Sequence, residues 1–200
     1  TFLWGWGIVW FAVSGFALSV LYTVVLQRIA LGELTALVVW GPLMIVGTVY
    51  AASGTADWEL VLASLPYGVI VSAVLVGKHM DKMSADRDAG VRTIPAVIGL
   101  RASAVLLKIE AVVFYLHVAL LIGLGITGPW VAVTVLALPR LVRAWRVWES
   151  PKPDAPPEGW TVWPLWYVGW AMLFNRQAGM LFVVGLLIDA ILPLIVPALG

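Results

Sequence analysis

Midway along the chain, a polar stretch separates two long apolar ones and reads Lys78-His79-Met80-Asp81-Lys82-Met83-Ser84-Ala85-Asp86-Arg87-Asp88-Ala89-Gly90-Val91-Arg92-Thr93-Ile94-Pro95. It holds three of the chain's eleven acidic residues and four of its twelve basic ones. A polar island between apolar stretches is ordinarily a solvated loop, and that is one interpretation here. The order of the residues favours another, because carboxylates come first, followed by a glycine turn, Arg-Thr and a proline. This order suits a site for a diphosphate and a metal ion.

The composition indicates an integral membrane protein. The 200 residues are 62% hydrophobic and 12% charged, with a mean hydropathy of +1.00, whereas soluble domains carry about 25% charged residues. The net charge of +1 gives no reason to expect a nucleic-acid partner. Cysteine is absent, which excludes disulfides and cysteine metal sites. The two histidines, His79 and His117, are too far apart in sequence to form a zinc-binding pattern.

Hydropathy predicts six membrane spans of about 20 apolar residues each. The last apolar stretch is too long for one span and is interrupted by Asn175-Arg176-Gln177. We therefore expect a short interfacial helix at 163–174 before the last span; one long tilted helix with a buried arginine is the alternative. The predicted spans cover residues 2–26, 34–52, 60–77, 102–126, 129–147 and 178–197. Together they predict a single all-α transmembrane domain over residues 1–200.

The basic residues lie on one side of this layout. The connections at 27–33, 78–101 and 140–163, together with Arg176, hold eleven of the twelve Lys and Arg residues. The positive-inside rule then places the Asp-bearing stretch in the cytoplasm and Thr1 outside. No basic region precedes the first apolar stretch, so we do not expect a secretory signal. The missing methionine also predicts that the gene starts upstream of Thr1.

The acids of the polar stretch have the chemistry of a magnesium site. Mg²⁺ prefers oxygen ligands and is usually held by one or two carboxylates plus substrate phosphates. Arginine and lysine can neutralise phosphate oxygens, and a glycine permits a sharp turn between acids and bases. Local ion pairing is the plain alternative, because acids and bases four residues apart attract one another on a helix. The acids are Asp81, Asp86 and Asp88, the bases that can neutralise phosphate are Lys78, Arg87 and Arg92, and the turn is Gly90. The ion pairs of the alternative are Lys82 with Asp86 and Asp88 with Arg92.

Several separate patches resemble one family. Asp81…Asp86-Arg-Asp-Ala-Gly90-Val-Arg92-Thr93-Ile-Pro95-Ala-Val-Ile-Gly99 resembles the second aspartate-rich motif of UbiA-type membrane prenyltransferases. Leu21-Tyr22-Thr23, Leu31-Gly32-Glu33-Leu34 and Gly41-Pro42…Gly47-Thr48-Val49-Tyr50 resemble the same family, in the family's order. The similarity is strongest to the branch that prenylates dihydroxynaphthoate on the menaquinone route. It covers roughly residues 19–99.

The resemblance implies a fold and a reaction. Family members are nine-helix bundles whose two aspartate motifs, in cytoplasmic loops, hold Mg²⁺ and a prenyl diphosphate between them. Three predicted spans precede the motif and three follow it, which implies helices four to nine of such a bundle. The first three helices and the first motif would then be absent from these 200 residues. The implied setting is a bacterial inner (plasma) membrane.

The same resemblance assigns roles to individual residues. It implies that Asp81 and Asp86 are the catalytic, metal-binding pair, and that Tyr22 and Arg28 help to hold the substrate diphosphate. Lys78 and Arg92 are predicted to bind the same diphosphate because of their charge. The implied partners are a prenyl diphosphate, a hydrophobic or aromatic acceptor such as a quinone precursor, and the lipid bilayer. An N-terminal segment or a membrane-protein partner would supply the rest of the site.

The chain departs from the family pattern in two places. Four residues separate Asp81 from Asp86 instead of the usual three, which would turn the two carboxylates about 140° apart on an unbroken helix. Either the helix is bulged or has ended there, or only one of the pair binds metal. The residues before Asp81 are Gly77-Lys78-His79 rather than the asparagine common in the quinone branches, which leaves the acceptor open.

Glu110 and His117 lie inside the fourth predicted span, beyond Lys108, which can extend back to the basic side. Glu110 and His117 are seven residues apart and share one helix face. Intramembrane ionisable groups are functional candidates by default, but we favour buried hydrogen bonds between helices as their role.

Three functions remain for the chain as a whole. We favour a prenyltransferase; the second is a non-catalytic UbiA-like membrane subunit of a larger complex, and the third a transporter or lipid-binding protein. The missing first motif and the shifted acid spacing favour the second. A transporter would need broken helices with paired charges near the bilayer midplane, for which only Glu110 and His117 are available.

Overall fold

The computed structural model describes residues 5–195, apart from the side chain of Thr23. The ends of the first and last predicted spans, and the predicted outer position of Thr1, lie outside these residues. Every regular element in the described part of the chain is helical, so the all-α prediction is confirmed.

Within residues 5–195, nine α-helices follow one another, with short 3₁₀ or π segments between some of them. The 3₁₀ segments are Leu26–Ile29 and Pro129–Ala137, and a π-helical turn at Val39–Leu43 joins the second helix to the third. The helices are α1 (Gly7–Val24), α2 (Gly32–Val38), α3 (Met44–Ser53), α4 (Trp58–Asp81), α5 (Met83–Asp88), α6 (Ile94–Ile98), α7 (Leu100–Gly123), α8 (Leu138–Glu149) and α9 (Tyr167–Ile195).

Four of these helical stretches are long and apolar enough to cross a membrane. They are Gly32–Ser53, Trp58–Asp81, Leu100–Gly123 and Tyr167–Ile195, and the shorter apolar helix Gly7–Tyr22 precedes them. The chain is therefore an integral membrane protein. The predicted span at 60–77 stops too early, because α4 continues through the polar residues as far as Asp81. The predicted span at 102–126 corresponds to α7.

The fifth predicted span, 129–147, has an unusual form. A 3₁₀ segment begins at Pro129 and passes directly into α8 at Leu138, and neither part is by itself long enough to cross a bilayer. A 3₁₀ helix rises about 2.0 Å per residue, more than an α-helix does. Residues 129–149 together therefore reach far enough to cross, and the segment stays a predicted span.

The predicted break in the last apolar stretch is wrong. Helix α9 runs without interruption from Tyr167 to Ile195, through Asn175-Arg176-Gln177, and the interfacial helix expected at 163–174 is not a separate element. Asn175 donates from Nδ2 to the Ile70 carbonyl at 3.0 Å, and Gln177 donates from Nε2 to the Leu136 carbonyl at 3.2 Å. Because both amides bind neighbouring backbone, the polar residues do not need a turn in water. Arg176 is exposed rather than buried.

Helix α4 lies at the centre and packs against α2, α7 and α9. Glycine permits the closest of these approaches. A Cβ on Gly68 would lie 2.5 Å from the Leu37 carbonyl oxygen, and one on Gly77 would lie 3.0 Å from the Val168 Cα. Small residues at helix contacts are typical of membrane bundles, since they let backbones pack closely.

Glu110 and His117 join α7 to α4. Ser72 donates from Oγ to Glu110 Oε1 at 2.7 Å, and the His117 Nε2 atom lies 3.1 Å from the Leu62 carbonyl oxygen. The expected hydrogen bonds between helices are confirmed for both residues.

Candidate functional site

The polar stretch folds as two short helices after the end of α4. Helix α4 ends at Asp81, Lys82 leaves the helical conformation (φ −108°, ψ 9°), and α5 begins at Met83. After α5 the chain turns at Gly90, whose φ of +68° favours glycine. Thr93 then caps α6, its hydroxyl accepting the Ala96 N–H at 3.4 Å. The extra residue between the two aspartates therefore coincides with a helix end, one of the alternatives left open by the spacing.

Asp86 lies in a buried hydrogen-bonded cluster. Its Oδ2 atom lies 2.9 Å from His79 Nδ1 and accepts the Thr93 hydroxyl at 3.3 Å. Asp86 is 6% exposed, and His79 and Thr93 are each 1% exposed. A carboxylate removed from water needs such partners, so α4, α5 and the start of α6 together fix its orientation. Sequence reasoning selected Asp86 but neither His79 nor Thr93 as its partner.

Glu33 holds the same loop from the other side. Its Oε1 atom accepts the Ile94 N–H at 3.2 Å, and the residue is 2% exposed. Ile94 directly follows Thr93, so Glu33 joins the first turn of α2 to the segment that binds Asp86. Sequence reasoning quoted Glu33 within a family patch but did not select it. An acid in the first turn of an apolar helix is the signal that could have found it.

Asp81 has different partners. Its Oδ1 atom accepts the Tyr167 N–H at 3.2 Å and its Oδ2 atom accepts the Val168 N–H at 2.9 Å, at the N-terminus of α9. Lys152 Nζ lies 3.6 Å from Oδ1, and the Asp81 side chain is 2% exposed. The first amides of a helix are free donors that favour a negative charge. The two aspartates therefore have different hydrogen-bond partners, and Asp81 is attached to α9.

An apolar groove opens beside the polar end of α4. It encloses about 440 Å³ between α1, α2 and α4. Lys78 and Tyr22 line its polar end, and Lys78 is exposed. The remaining lining residues are Leu18, Ser19, Thr35, Ala36, Val39, Trp40, Val71, Val74 and Leu75. We call this space the first groove; it offers a long apolar ligand a cation at one end.

The two predicted arginines lie on the surface. Arg92 is exposed and lines a shallow depression with Arg87, whose Nε donates to the Ala96 carbonyl at 2.9 Å. Arg28 lies in the 3₁₀ turn Leu26–Ile29 and is also exposed. In the described residues neither Arg28 nor Arg92 forms an ion pair with Asp86, so both keep their charge available to an anion from solution.

Comparison with known proteins now decides the family. The model of the UbiA prenyltransferase family matches residues 1–166. The chain belongs to the UbiA prenyltransferase family. That match ends one residue before α9 begins, so the last helix lies outside the matched residues.

Three curated relatives of the UbiA type are similar to the chain. The 1,4-dihydroxy-2-naphthoate octaprenyltransferase of Bacillus subtilis is 23% identical over 142 residues, which cover 70% of this chain and 46% of the relative. The 2-carboxy-1,4-naphthoquinone phytyltransferase of Synechocystis is 29% identical over 112 residues, 56% of this chain and 36% of the relative. A Drosophila melanogaster UbiA prenyltransferase domain-containing protein 1 homolog is 32% identical over 95 residues, which cover 46% of this chain and 26% of the relative. The chain thus matches less than half the length of each relative. No solved structure matches it.

UbiA prenyltransferases generally depend on a divalent metal, and the donor set of this chain fits such an ion only in part. Among residues 5–195, no three His, Asp or Glu side chains converge on a common point. Asp81 is already occupied by α9. Asp86 and Glu33 each use one carboxylate oxygen in the hydrogen bonds described, which leaves the other for a cation. One or two carboxylates suffice for Mg²⁺ when substrate phosphates complete its shell.

Proposed function

We propose that this chain forms part of an intramembrane prenyltransferase that moves an isoprenoid group from a prenyl diphosphate to an aromatic quinone precursor, with Mg²⁺. The observation that carries the proposal is the buried Asp86–His79–Thr93 cluster, next to the helix end from which Lys78 lines the first groove. Lys78 can bind a diphosphate head, the Asp86 carboxylate can hold the metal ion that the head requires, and the apolar groove can receive a hydrocarbon tail.

Each residue has a task in this reaction. The apolar walls of the first groove receive the isoprenoid tail and keep water from the allylic cation. Lys78 binds a phosphate oxygen as a point charge, and the exposed Arg28 and Arg92 add two-point contacts. The Tyr22 hydroxyl lies at the same end of the groove and donates to the diphosphate. Asp86, oriented by His79 and Thr93, would hold Mg²⁺, which supplies neutralisation of the charge that grows on the leaving diphosphate.

The names of the relatives support a proposal for the class of acceptor. Two of them are named for naphthalene compounds that carry a carboxyl group. We propose an acceptor of that kind here, an electron-rich aromatic ring that captures the allylic cation. We also propose that the chain corresponds to helices four to nine of a nine-helix bundle in a bacterial inner membrane, with residues 78–99 facing the cytoplasm.

A non-catalytic UbiA-like subunit is the second candidate. The capping of α9 by Asp81 favours it, because this acid is then withdrawn from metal binding. In that case the buried cluster around Asp86 would serve only to hold the loop in place.

Prenyl transfer by the full-length protein distinguishes the two candidates. In lipid nanodiscs with Mg²⁺, Asp86→Asn should lower turnover by at least a hundredfold, since it removes the charge but keeps the size. Lys78→Gln should raise the KM for the prenyl diphosphate, whereas Lys82→Gln, on the exposed residue between α4 and α5, should leave it unchanged. Full turnover by Asp86→Asn would refute the mechanism and leave the subunit as the better description.

A further inference from the structure

A second groove continues from the first one toward α9. It encloses about 530 Å³ and shares Trp40, Val71 and Val74 with the first groove. Its other lining residues are Tyr67 of α4 and Met172, Asn175, Arg176, Gly179 and Met180 of α9. The two grooves are therefore adjacent, and Lys78 lines the first while Arg176 lines the second.

Arg176 lies deep in a membrane-spanning helix. It is nine residues after Tyr167, the first residue of α9, which places it roughly 13 Å along the helix at 1.5 Å per residue. An arginine at such a depth is costly and marks a binding or transport site by default. It also lies beyond residue 166, where the family match ends.

The guanidinium of Arg176 is held at the groove without a counter-ion. The described residues place no carboxylate within ion-pair distance of it, and the side chain is exposed to the groove. Its neighbour Asn175 donates to the Ile70 carbonyl at 3.0 Å, which fixes this turn of α9 against α4. The backbone of Arg176 is therefore fixed by the contact between α9 and α4, and its charge is available to an anion that enters the groove.

The walls around Arg176 select the kind of anion. Trp40 and Tyr67 supply aromatic surface, and the valines supply apolar surface. Arginine binds a carboxylate through two parallel hydrogen bonds, with more geometric selection than lysine. We propose that Arg176 binds the carboxylate of the aromatic acceptor in the second groove, while the prenyl diphosphate occupies the first. This inference rests on the proposed function for the identity of the acceptor, and makes Arg176 a specificity-determining residue.

Binding of 2-naphthoate and of its neutral counterpart 2-naphthamide tests the assignment without any turnover. Equilibrium dialysis with the full-length protein in phosphatidylcholine nanodiscs should show tighter binding of the naphthoate. Arg176→Gln should reduce this preference at least tenfold, and Arg176→Lys should reduce it less, because the charge remains. Arg143→Gln, on the exposed face of α8, is the matched control for net charge and should keep the preference.

Two outcomes overturn the proposal. One is an unchanged preference in Arg176→Gln; the other is no preference in the wild type, which would assign the arginine to a lipid phosphate or an acidic residue of a neighbouring segment. Size-exclusion profiles of both Arg176 variants verify that they are folded. If the protein binds naphthoate through Arg176 but no variant transfers a prenyl group, the proposed function fails while this assignment stands. With transfer present, Arg176→Gln should raise the KM for a carboxylated acceptor and leave the KM for the prenyl diphosphate unchanged.

Discussion

The capping of α9 by Asp81 can be tested by removing the carboxylate. In Asp81→Ala, the Tyr167 and Val168 amides lose their acceptors in a place where the Asp81 side chain is only 2% exposed, so water does not readily replace it. A hydrogen bond to a charged group contributes about 1.5–3 kcal/mol, and an N-cap about 0.5–2 kcal/mol. The two bonds share one carboxylate, so we expect the free energy of unfolding to fall by about 2–4 kcal/mol.

Two further variants separate the parts of this contact. Asp81→Asn keeps one acceptor oxygen but places an amide NH₂ against a backbone N–H, so it should lose about 1–2 kcal/mol. Lys152 lies 3.6 Å from Asp81 and its side chain is 28% exposed, so Lys152→Gln should cost at most about 1 kcal/mol.

Unfolding of the full-length protein in mixed detergent micelles, followed by tryptophan fluorescence, measures these differences. Prenyl transfer per folded molecule is measured on the same preparations. If Asp81→Ala unfolds like the wild type but transfers no prenyl group, the capping argument is refuted. The metal-ligand role that the sequence predicts for Asp81 would then be correct.

Substitutions at two other positions, Gly68 and Glu110, test the packing of α4. Gly68→Ala would place a Cβ 2.5 Å from the Leu37 carbonyl oxygen and should lower the unfolding free energy by about 1–3 kcal/mol. The control is Gly123→Ala, where nothing lies within 4 Å of the new Cβ, so its unfolding free energy should be nearly unchanged. Equal effects of the two substitutions would refute the close-contact argument. Glu110→Ala removes the acceptor of the Ser72 hydroxyl and should lower the unfolding free energy by about 1–3 kcal/mol. Glu110→Gln should keep that hydrogen bond and leave prenyl transfer unchanged. Loss of transfer in the glutamine variant would instead give Glu110 a catalytic role.

The fold was largely predictable because its signals are local in sequence. Apolar runs of about 20 residues identify membrane helices without knowledge of their neighbours, and α4, α7 and the stretch Gly32–Ser53 were found in this way. The break expected at Asn175-Arg176-Gln177 failed because its cause is tertiary. The amides of Asn175 and Gln177 bind carbonyls 105 and 41 residues away in sequence, and no local pattern reveals such partners.

The site was predictable in part for the same reason. Asp86 was selected from its place in a motif, but its partner His79 was not, since α4 had been expected to end before that residue. Asp81 was selected with it because both are acids of one stretch. Its actual partners lie 86 and 87 residues further along the chain, at a helix start that was expected elsewhere. The position of a carboxylate at a helix end depends on which helix begins nearby, and the sequence around Asp81 does not contain that information.

The extra residue between the two aspartates lies where α4 ends, and the two carboxylates on either side of it have different partners. On one continuous helix with the usual spacing, both carboxylates would share a face. Asp81 would then point to the same side as Asp86 and could not also bind the start of α9. Here α4 ends at Asp81, so this carboxylate lies at the N-terminus of α9. Helix α5 then begins after Lys82 and carries Asp86 to His79 and Thr93. We infer that the departure from the family spacing divides the acid pair into one residue that anchors the last helix and one that serves the site. Because α9 carries Arg176, Asp81 would act on the second groove through α9. Substitution of Asp81 should therefore weaken naphthoate binding as well as lower the stability of the protein.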